Sequence, residues 1–315
     1  MPELKHFDGI DSFRSETNRP IHLAIGMFDG VHQGHRIVVE SAIRSAANSG
    51  GLAGVMTFWP HPSHLFKPDN PVPMILNSRM KRSELSKLRI DFVIEEPFSP
   101  EFAAVDSVDF LAMLKCKIPA LASMHTGENW RFGKGRQGDV KLLGKLAEEA
   151  GISAESIECL FLDGERVSST RIRNALIGGR IGEANRLLGY TYETWGTVRE
   201  GKRVGRTIGV PTLNIPFDGE LVPRLGVYSV NISREGGEER LPAVANFGIR
   251  PTVNSLKKPM LEVHVLGDCP FFYGDSVRVE WLNFLRRERK FDCLDKLKTQ
   301  IQADISDAKL FFESP

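Results

Sequence analysis

Ten residues, Gly26-Met-Phe-Asp-Gly-Val-His-Gln-Gly-His35, follow the first apolar run of the chain and open its first helical pattern. Their chemistry is that of an anion site. Gly30 and Gly34 let backbone approach a ligand closely. A helix start offers unpaired N–H groups and positive potential. His32 and His35 stand three apart, so both imidazoles can reach one spot and neutralise charge building on a transferring phosphate. A second stretch, Val167-Ser-Ser-Thr-Arg-Ile-Arg173, places Ser168 or Ser169 as a natural N-cap. Thr170, Arg171 and Arg173 then fall in the first turn, where hydroxyls and guanidinium forks suit phosphate. By spacing alone this stretch reads equally as a plain helix cap.

A third group lies later. Gly205-Arg-Thr-Ile-Gly-Val-Pro-Thr-Leu-Asn214 is Gly-rich and ends in a hydroxyl and an amide. Magnesium takes hard oxygen ligands, few of them from protein. Thr212 and Asn214 alternate along an extended segment and so project to one face. Glu262 is the only acid in the apolar run Leu261–Leu266. A carboxylate so placed can act as a general base, or form a rim salt bridge.

Other patterns fail on context. Gly133-Lys-Gly-Arg-Gln-Gly138 has dinucleotide-motif spacing, but Glu128-Asn-Trp-Arg-Phe132 before it is no apolar strand. Gly196-Thr-Val-Arg-Glu-Gly-Lys202 has P-loop spacing, but Arg203 stands where a hydroxyl is needed, and Gly205, Gly209 and Pro211 forbid the following helix. His61 and His64 form another HxxH pair, but flanking prolines and the lack of Cys or acidic partners argue against zinc.

These groups need elements to position them. Up to Leu188, apolar runs (Ile21–Phe28, Leu52–Trp59, Asp91–Glu95, Ala120–His125, Ile157–Leu162) alternate with helical spacing (Arg36–Ala47, Met80–Leu88, Val108–Leu114, Val140–Ala150, Arg171–Leu188). The last of these is interrupted near Gly178 and Gly179. The alternation predicts an α/β domain with a parallel sheet. Near Gly189 the pattern changes to short runs rich in Val and Thr: Thr194–Val198, Val227–Ile232, Ala243–Phe247, Leu261–Leu266 and Ser276–Trp281. That predicts a small antiparallel β-barrel. Leu294, Leu297, Ile301, Ile305, Ala308 and Phe312 then share one face of a final helix, which packs on the barrel. Two domains follow, residues 1–186 and 187–315.

Composition bounds the rest. The chain has 315 residues with 41 Lys plus Arg against 40 Asp plus Glu. Both halves are balanced, so neither nucleic acid nor an anionic membrane is an expected partner. No apolar run approaches the length of a membrane span. No signal pattern opens the chain, and the four cysteines show no CxxC or disulfide framework. This is the profile of a cytoplasmic protein, and no feature asks for self-association.

Together these motifs resemble the prokaryotic bifunctional riboflavin kinase/FMN adenylyltransferases, over nearly the whole chain and in the family's order. The first-half match includes Gly26–His35, Thr57-Phe-Trp-Pro-His-Pro62, Gly127-Glu-Asn-Trp-Arg-Phe-Gly133 and Val167–Arg173. The second-half match includes Gly205–Asn214, Gly226-Val-Tyr228, Ala245-Asn-Phe-Gly-Ile-Arg-Pro-Thr252, Glu262-Val-His264 and Leu285-Arg-Arg-Glu-Arg-Lys-Phe291. The resemblance implies a Rossmann-like nucleotidyltransferase domain that adenylates FMN with ATP. There His32, His35 and Arg171 are catalytic. Gly26, Phe28, Asp29, Gly30, Asn129, Ser168 and Thr170 bind nucleotide or substrate. It implies a kinase barrel in which Thr212 and Asn214 hold Mg2+ with ATP, Gly205, Arg206 and Thr207 bind nucleotide, and Glu262 takes the proton from riboflavin's 5′-hydroxyl. The Gly201–Arg206 loop would close over ATP. Intact catalytic groups in both halves argue against a single active half or a non-catalytic flavin-binding protein. The chain departs from the family's usual residues at Trp130, commonly Phe, and at Leu213, commonly Ala beside the metal ligands. It departs also after Glu262, where Asp268 is displaced from its usual place.

Overall fold

Strand periodicity in the first half yields six strands that share one parallel sheet. In chain order the elements are β1 (Lys5–Asp8), β2 (Ile21–Ile25), α1 (Gln33–Ser49), β3 (Leu52–Trp59), α2 (Ser63–Phe66), α3 (Ser78–Ser86), β4 (Phe92–Pro97), α4 (Pro100–Ala103), α5 (Phe110–Lys117), β5 (Leu121–Gly127), α6 (Val140–Glu149), β6 (Ser153–Ile157) and the small hairpin β7 (Phe161–Leu162) with β8 (Glu165–Arg166). The computed structural model describes residues 4–15, 18–201, 209–250 and 258–313. By internal packing the chain divides into two compact units, Met1–Ser169 and Thr170–Pro315.

Every residue of β2 is buried, as covering a parallel sheet on both faces requires. Its Leu23 and Ile25 pack with Met56, Phe92, Ile94, Phe110, Leu114 and Met124 in the first unit's core. The sheet reverses its order at β2. β3 and β4 continue on one side, β5 and β6 on the other. Ligand crevices of open α/β sheets form at such a switch point, beyond the strands' carboxyl ends. The Gly26–His32 loop leaves β2 there.

Two edge strands differ from the sequence reading. The last strand of the sheet is Ser153–Ile157 rather than Ile157–Leu162, and β1 carries no strong apolar signal. Edge strands keep one side unpaired, and β6 mixes exposed and half-buried residues with none buried, so neither shows the apolar run of a central strand. The apolar residues after Ile157 instead lead into β7.

The second unit holds α7 (Ser169–Gly178), whose first residue closes the first unit, then α8 (Ile181–Leu188), β9 (Glu193–Thr197), β10 (Leu213–Pro216), β11 (Gly226–Arg234), β12 (Leu241–Arg250), β13 (Lys258–Val265), β14 (Ser276–Arg287) and α9 (Leu294–Glu313). Its six strands are antiparallel throughout, in the order β10-β13-β12-β11-β14-β9. The two outer strands meet again. Arg199, just past β9, bridges Asn214 of β10 with an N–H···O bond of 2.7 Å, so the sheet curls into a near-closed barrel. Trp281 fills its interior, with Tyr228 and Phe247 edge-on at 4.6 and 5.1 Å. Its indole N–H donates to the Thr194 hydroxyl at 3.2 Å, the usual partnering of a buried Trp.

Helix α9 packs on β11, β12 and β14. Ala308 is buried, and Leu297, Ile301, Ile305 and Phe312 are half-buried. Leu294, read as part of that stripe, is 65% exposed, because the helix's buried contacts lie further along, at Asp304 and Ala308. Arg286 of β14 donates twice to Asp304, at 2.6 Å each. This forked pairing satisfies a buried carboxylate. Among the described residues, no helix is long and apolar enough to cross a membrane.

Candidate active sites

The first site is built on a tight loop between β2 and α1. Phe28 and Val31 take left-handed backbone at φ 45° and 39°, a costly state for residues with side chains. Gly30, at φ 85°, takes one that glycine adopts freely. The loop delivers His32 as the N-cap of α1. Its Nδ1 accepts the His35 backbone N–H at 3.3 Å, which leaves Nε2 as the proton-bearing nitrogen of the neutral ring. The two imidazoles stack at 3.5 Å with 17° between their planes. Phe28 stands edge-on to His35 at 5.4 Å. A Cβ on Gly26 would lie 3.3 Å from the Phe28 ring, so the backbone passes that ring closely.

Asp29 is 2% exposed and turned inward. Its Oδ1 accepts the Ile75 N–H at 2.9 Å, tying the loop to the segment before α3. Its backbone carbonyl accepts the Ser169 hydroxyl, also at 2.9 Å. The structure therefore joins the His32 loop to Ser169, the last residue of the first unit, which the sequence separates from it by most of the first half. Ser168 immediately precedes that helix. Thr170 and Arg171 are in its first turn, and Arg171 donates to Glu183 at 3.1 Å within the second unit. Asn129, exposed past the end of β5, donates to Cys159 Sγ at 3.2 Å.

The second site is made by strand register. Asn214 of β10 lies directly opposite Glu262 of β13, and Glu262 directly opposite Asn246 of β12. Facing residues in adjacent strands project to the same side, with Cβ atoms roughly 5 Å apart. Leu261, Val263, Leu213 and Ile215 alternate with them into the core. Leu213 thus points away from the Asn214 face, and its bulk is spent on Val263 in the interior. Asn214 is 7% exposed, and its Oδ1 has no hydrogen-bond partner among the described residues. A buried amide oxygen left in that state is costly. It fits a cation ligand, as does the neighbouring Thr212 hydroxyl. Gly201 approaches this carboxamide so closely that a Cβ there would stand 2.2 Å from Nδ2. Glu288 joins the same group. A Cβ on Gly248 would be 2.2 Å from its Oε1 and 3.8 Å from the Asn246 amide. Partial desolvation and the Glu262 charge push the Glu288 carboxyl up, against Arg286.

Residues 14–171 match the family model of FAD synthetase, and residues 188–312 that of riboflavin kinase. The bifunctional riboflavin kinase/FMN adenylyltransferase of Escherichia coli (strain K12) is 36% identical over 309 residues, 98% of each chain. The chain belongs to this bifunctional family. The member from Haemophilus influenzae is 36% identical over 292 residues, 93% of this chain and 94% of its own. The fold is also similar to the crystal structure of a macrolide-efflux protein from Streptococcus pneumoniae, with a TM-score of 0.86 at 26% identity, covering 96% of this chain and 98% of that one. The resemblance drawn from the motifs is borne out, as are the two kinds of sheet.

Within that bifunctional frame, the first unit brings together Gly26, Phe28, Asp29, Gly30, His32 and His35, and the second Asn214 and Glu262. Gly205, Arg206 and Thr207 lie outside the described residues. Trp130, a departure from the usual Phe, stacks on Phe132 at 4.7 Å and meets Phe110 edge-on, so it serves the core. Sequence reasoning passed over Asn246 and Glu288, whose approach to Glu262 depends on strand pairing. It also passed over Lys81, which lies in the Met80–Leu88 helical run and was given no role. The signal for Lys81 was present. Met80, Lys81, Glu84 and Leu85 recur at helical spacing, and all four are buried.

Proposed function

We infer that the chain makes FAD from riboflavin in two ATP-dependent steps, phosphorylation in the second half and adenylylation in the first. One observation supports this reading: each unit gathers its own set of residues suited to phosphate chemistry, stacked imidazoles at a helix N-terminus in one and Asn214 beside Glu262 in the other. We put the functional division after Arg186; the family matches, which end at residue 171 and resume at residue 188, are compatible with that boundary.

In the kinase step, Glu262 takes the proton of riboflavin's 5′-hydroxyl as that oxygen attacks the γ-phosphorus, and ADP leaves. Thr212 and Asn214 are the protein oxygens for Mg2+, which when bound offsets charge on the ATP phosphates. Gly205, Arg206 and Thr207 are assigned to the nucleotide through their motif. In the adenylyl step, an FMN phosphate oxygen attacks the α-phosphorus of ATP and pyrophosphate leaves. His32 and His35 donate to the phosphate oxygens as charge builds. Gly26, Phe28, Asp29 and Gly30 shape the loop that receives them. Ser168, Thr170, Arg171 and Asn129 are assigned to nucleotide and substrate. Neither step needs a covalent intermediate, so positioning and charge neutralisation suffice. Even charge along the chain supports small-molecule partners rather than nucleic acid or an anionic membrane; the cytoplasm is the compartment we assign.

The test is one incubation of the protein with riboflavin, ATP and magnesium, with flavins separated over time. FMN appearing first and FAD following supports both assignments. Failure to convert directly supplied FMN would remove the first, and failure to form FMN from riboflavin the second.

A further inference from the structure

Lys81 is a charged side chain with no exposure at all. Burying an ammonium is unfavourable unless it is paired and hydrogen-bonded, and an apolar residue of similar length would fill the same slot more cheaply. Packing therefore gives no reason for a lysine here. Its contacts give one. Nζ donates to the Thr57 hydroxyl and to the Phe58 carbonyl, each at 3.1 Å. The Thr57 hydroxyl in turn donates to the backbone carbonyl of Met27 at 2.9 Å. Met27 immediately precedes Phe28, where the backbone enters its left-handed corner. From the other side, Asp29 holds the Ile75 N–H two residues before the cap of α3. Helix α3 and its lead-in thus clamp the loop at two points, through Lys81 by way of the Thr57 hydroxyl and through the Ile75 N–H.

The charged surroundings of Lys81 are Glu95 of β4, 3.8 Å away and itself fixed by the Ser78 hydroxyl, Asp29 of the loop, and Arg82 on its own helix. From β3, the Trp59 ring lies 5.7 Å off. Burial pushes the ammonium down to about 8, against the pull of Glu95 and Asp29. Nothing assigned to the reaction so far uses this group.

We propose that Lys81 is a positioning residue for adenylylation: through the Thr57 hydroxyl its buried ammonium holds the Met27 carbonyl, and with it the corner that aims His32 and His35. The proposal rests on the adenylyltransferase reading of the first half. Its charge is required, because a neutral amine donates more weakly and leaves Asp29 and Glu95 uncompensated. Adenylylation therefore declines as pH rises through about 8 and the ammonium loses its proton.

The test uses full-length Lys81→Met, Thr57→Val and the double variant, each assayed for FMN adenylylation and riboflavin phosphorylation. Wild-type conversion of FMN is measured first, and its absence would sink the underlying reading rather than the role of Lys81. Both single variants are expected to lose about 10²-fold in adenylylation kcat, the scale of a misplaced catalytic group, with a smaller change in KM for ATP. Riboflavin phosphorylation stays at the wild-type rate. The double variant loses no more than either single one, since the two residues act in series. The decline above pH 8 disappears with Lys81. A Lys81→Met enzyme that melts lower but keeps wild-type kcat and its alkaline decline would overturn the proposal. So would fully additive losses in the double variant.

Discussion

At the scale of single residues, Glu262 and Asn214 show how strand register gathers ordinary polar side chains on one face. Glu262 is the lone acid of an apolar strand, yet register puts Asn214 on one flank and Asn246 on the other. Replacing Glu262 by Gln keeps shape and hydrogen bonding while removing the base. Riboflavin phosphorylation should fall by about 10²–10⁴-fold, the usual worth of a positioned base. Riboflavin binding, followed by flavin fluorescence, and adenylylation of supplied FMN should persist. Undiminished phosphorylation would take the base role from Glu262. Gly201 offers a sharper probe of the cation ligand. A methyl group there must displace the Asn214 carboxamide. Gly201→Ala should therefore raise the magnesium concentration needed for half-maximal kinase activity, leaving FAD formation from FMN alone. An unchanged magnesium curve would mean that Asn214 is no ligand.

At the scale of elements, α1 is fastened to the sheet by more than apolar contact. His22 of β2 bonds Ser123 of β5 at 2.7 Å and Ser49 of α1 at 2.8 Å. Ser123 continues to His125 Nε2 at 2.7 Å, and His125 Nδ1 meets Ser41 of α1 at 2.9 Å and Glu155 of β6 at 3.1 Å. Such a network is strong only while every member is satisfied. Burial pushes both imidazoles below their ordinary value near 6.5. For His125 the Glu155 carboxylate opposes the shift, while His22 and Arg44 of α1 add to it. The sign of the linkage follows. The unfolded chain takes up these protons below about pH 6.5 and the folded chain resists them, so stability is fully present above that pH and is lost on acidification. The melting temperature should drop between pH 7 and pH 5, and the drop should shrink in His125→Asn. Parallel curves for the two proteins would remove His125 as the source.

For the whole molecule, two units with separate cores and opposite sheet types carry consecutive reactions in one chain. Their failures should be separable. His32→Asn keeps an N-cap acceptor for α1 but removes an imidazole, so FMN should accumulate at the wild-type kinase rate while FAD does not form. Mixing this variant with Glu262→Gln should restore FAD from riboflavin, FMN passing between molecules through solution. Loss of both activities in either variant would contradict the division of labour. Much of this was legible in the residues themselves. Helical and strand periods, Gly punctuation and the two phosphate motifs are local signals; they predicted a parallel sheet and a barrel, and they singled out His32 with His35, and Glu262, as candidates. What they could not reach depends on distant segments meeting. Edge strands β1 and β6 lack an apolar run because one side is unpaired. Asn246 and Glu288 approach Glu262 only through antiparallel register and backbone approach. Lys81 has the composition of a surface residue, and only the packing of α3 against β3 and β4 makes its charge a buried, partnered one. Period and motif are properties of neighbouring residues, whereas burial and register are set by what folds against them.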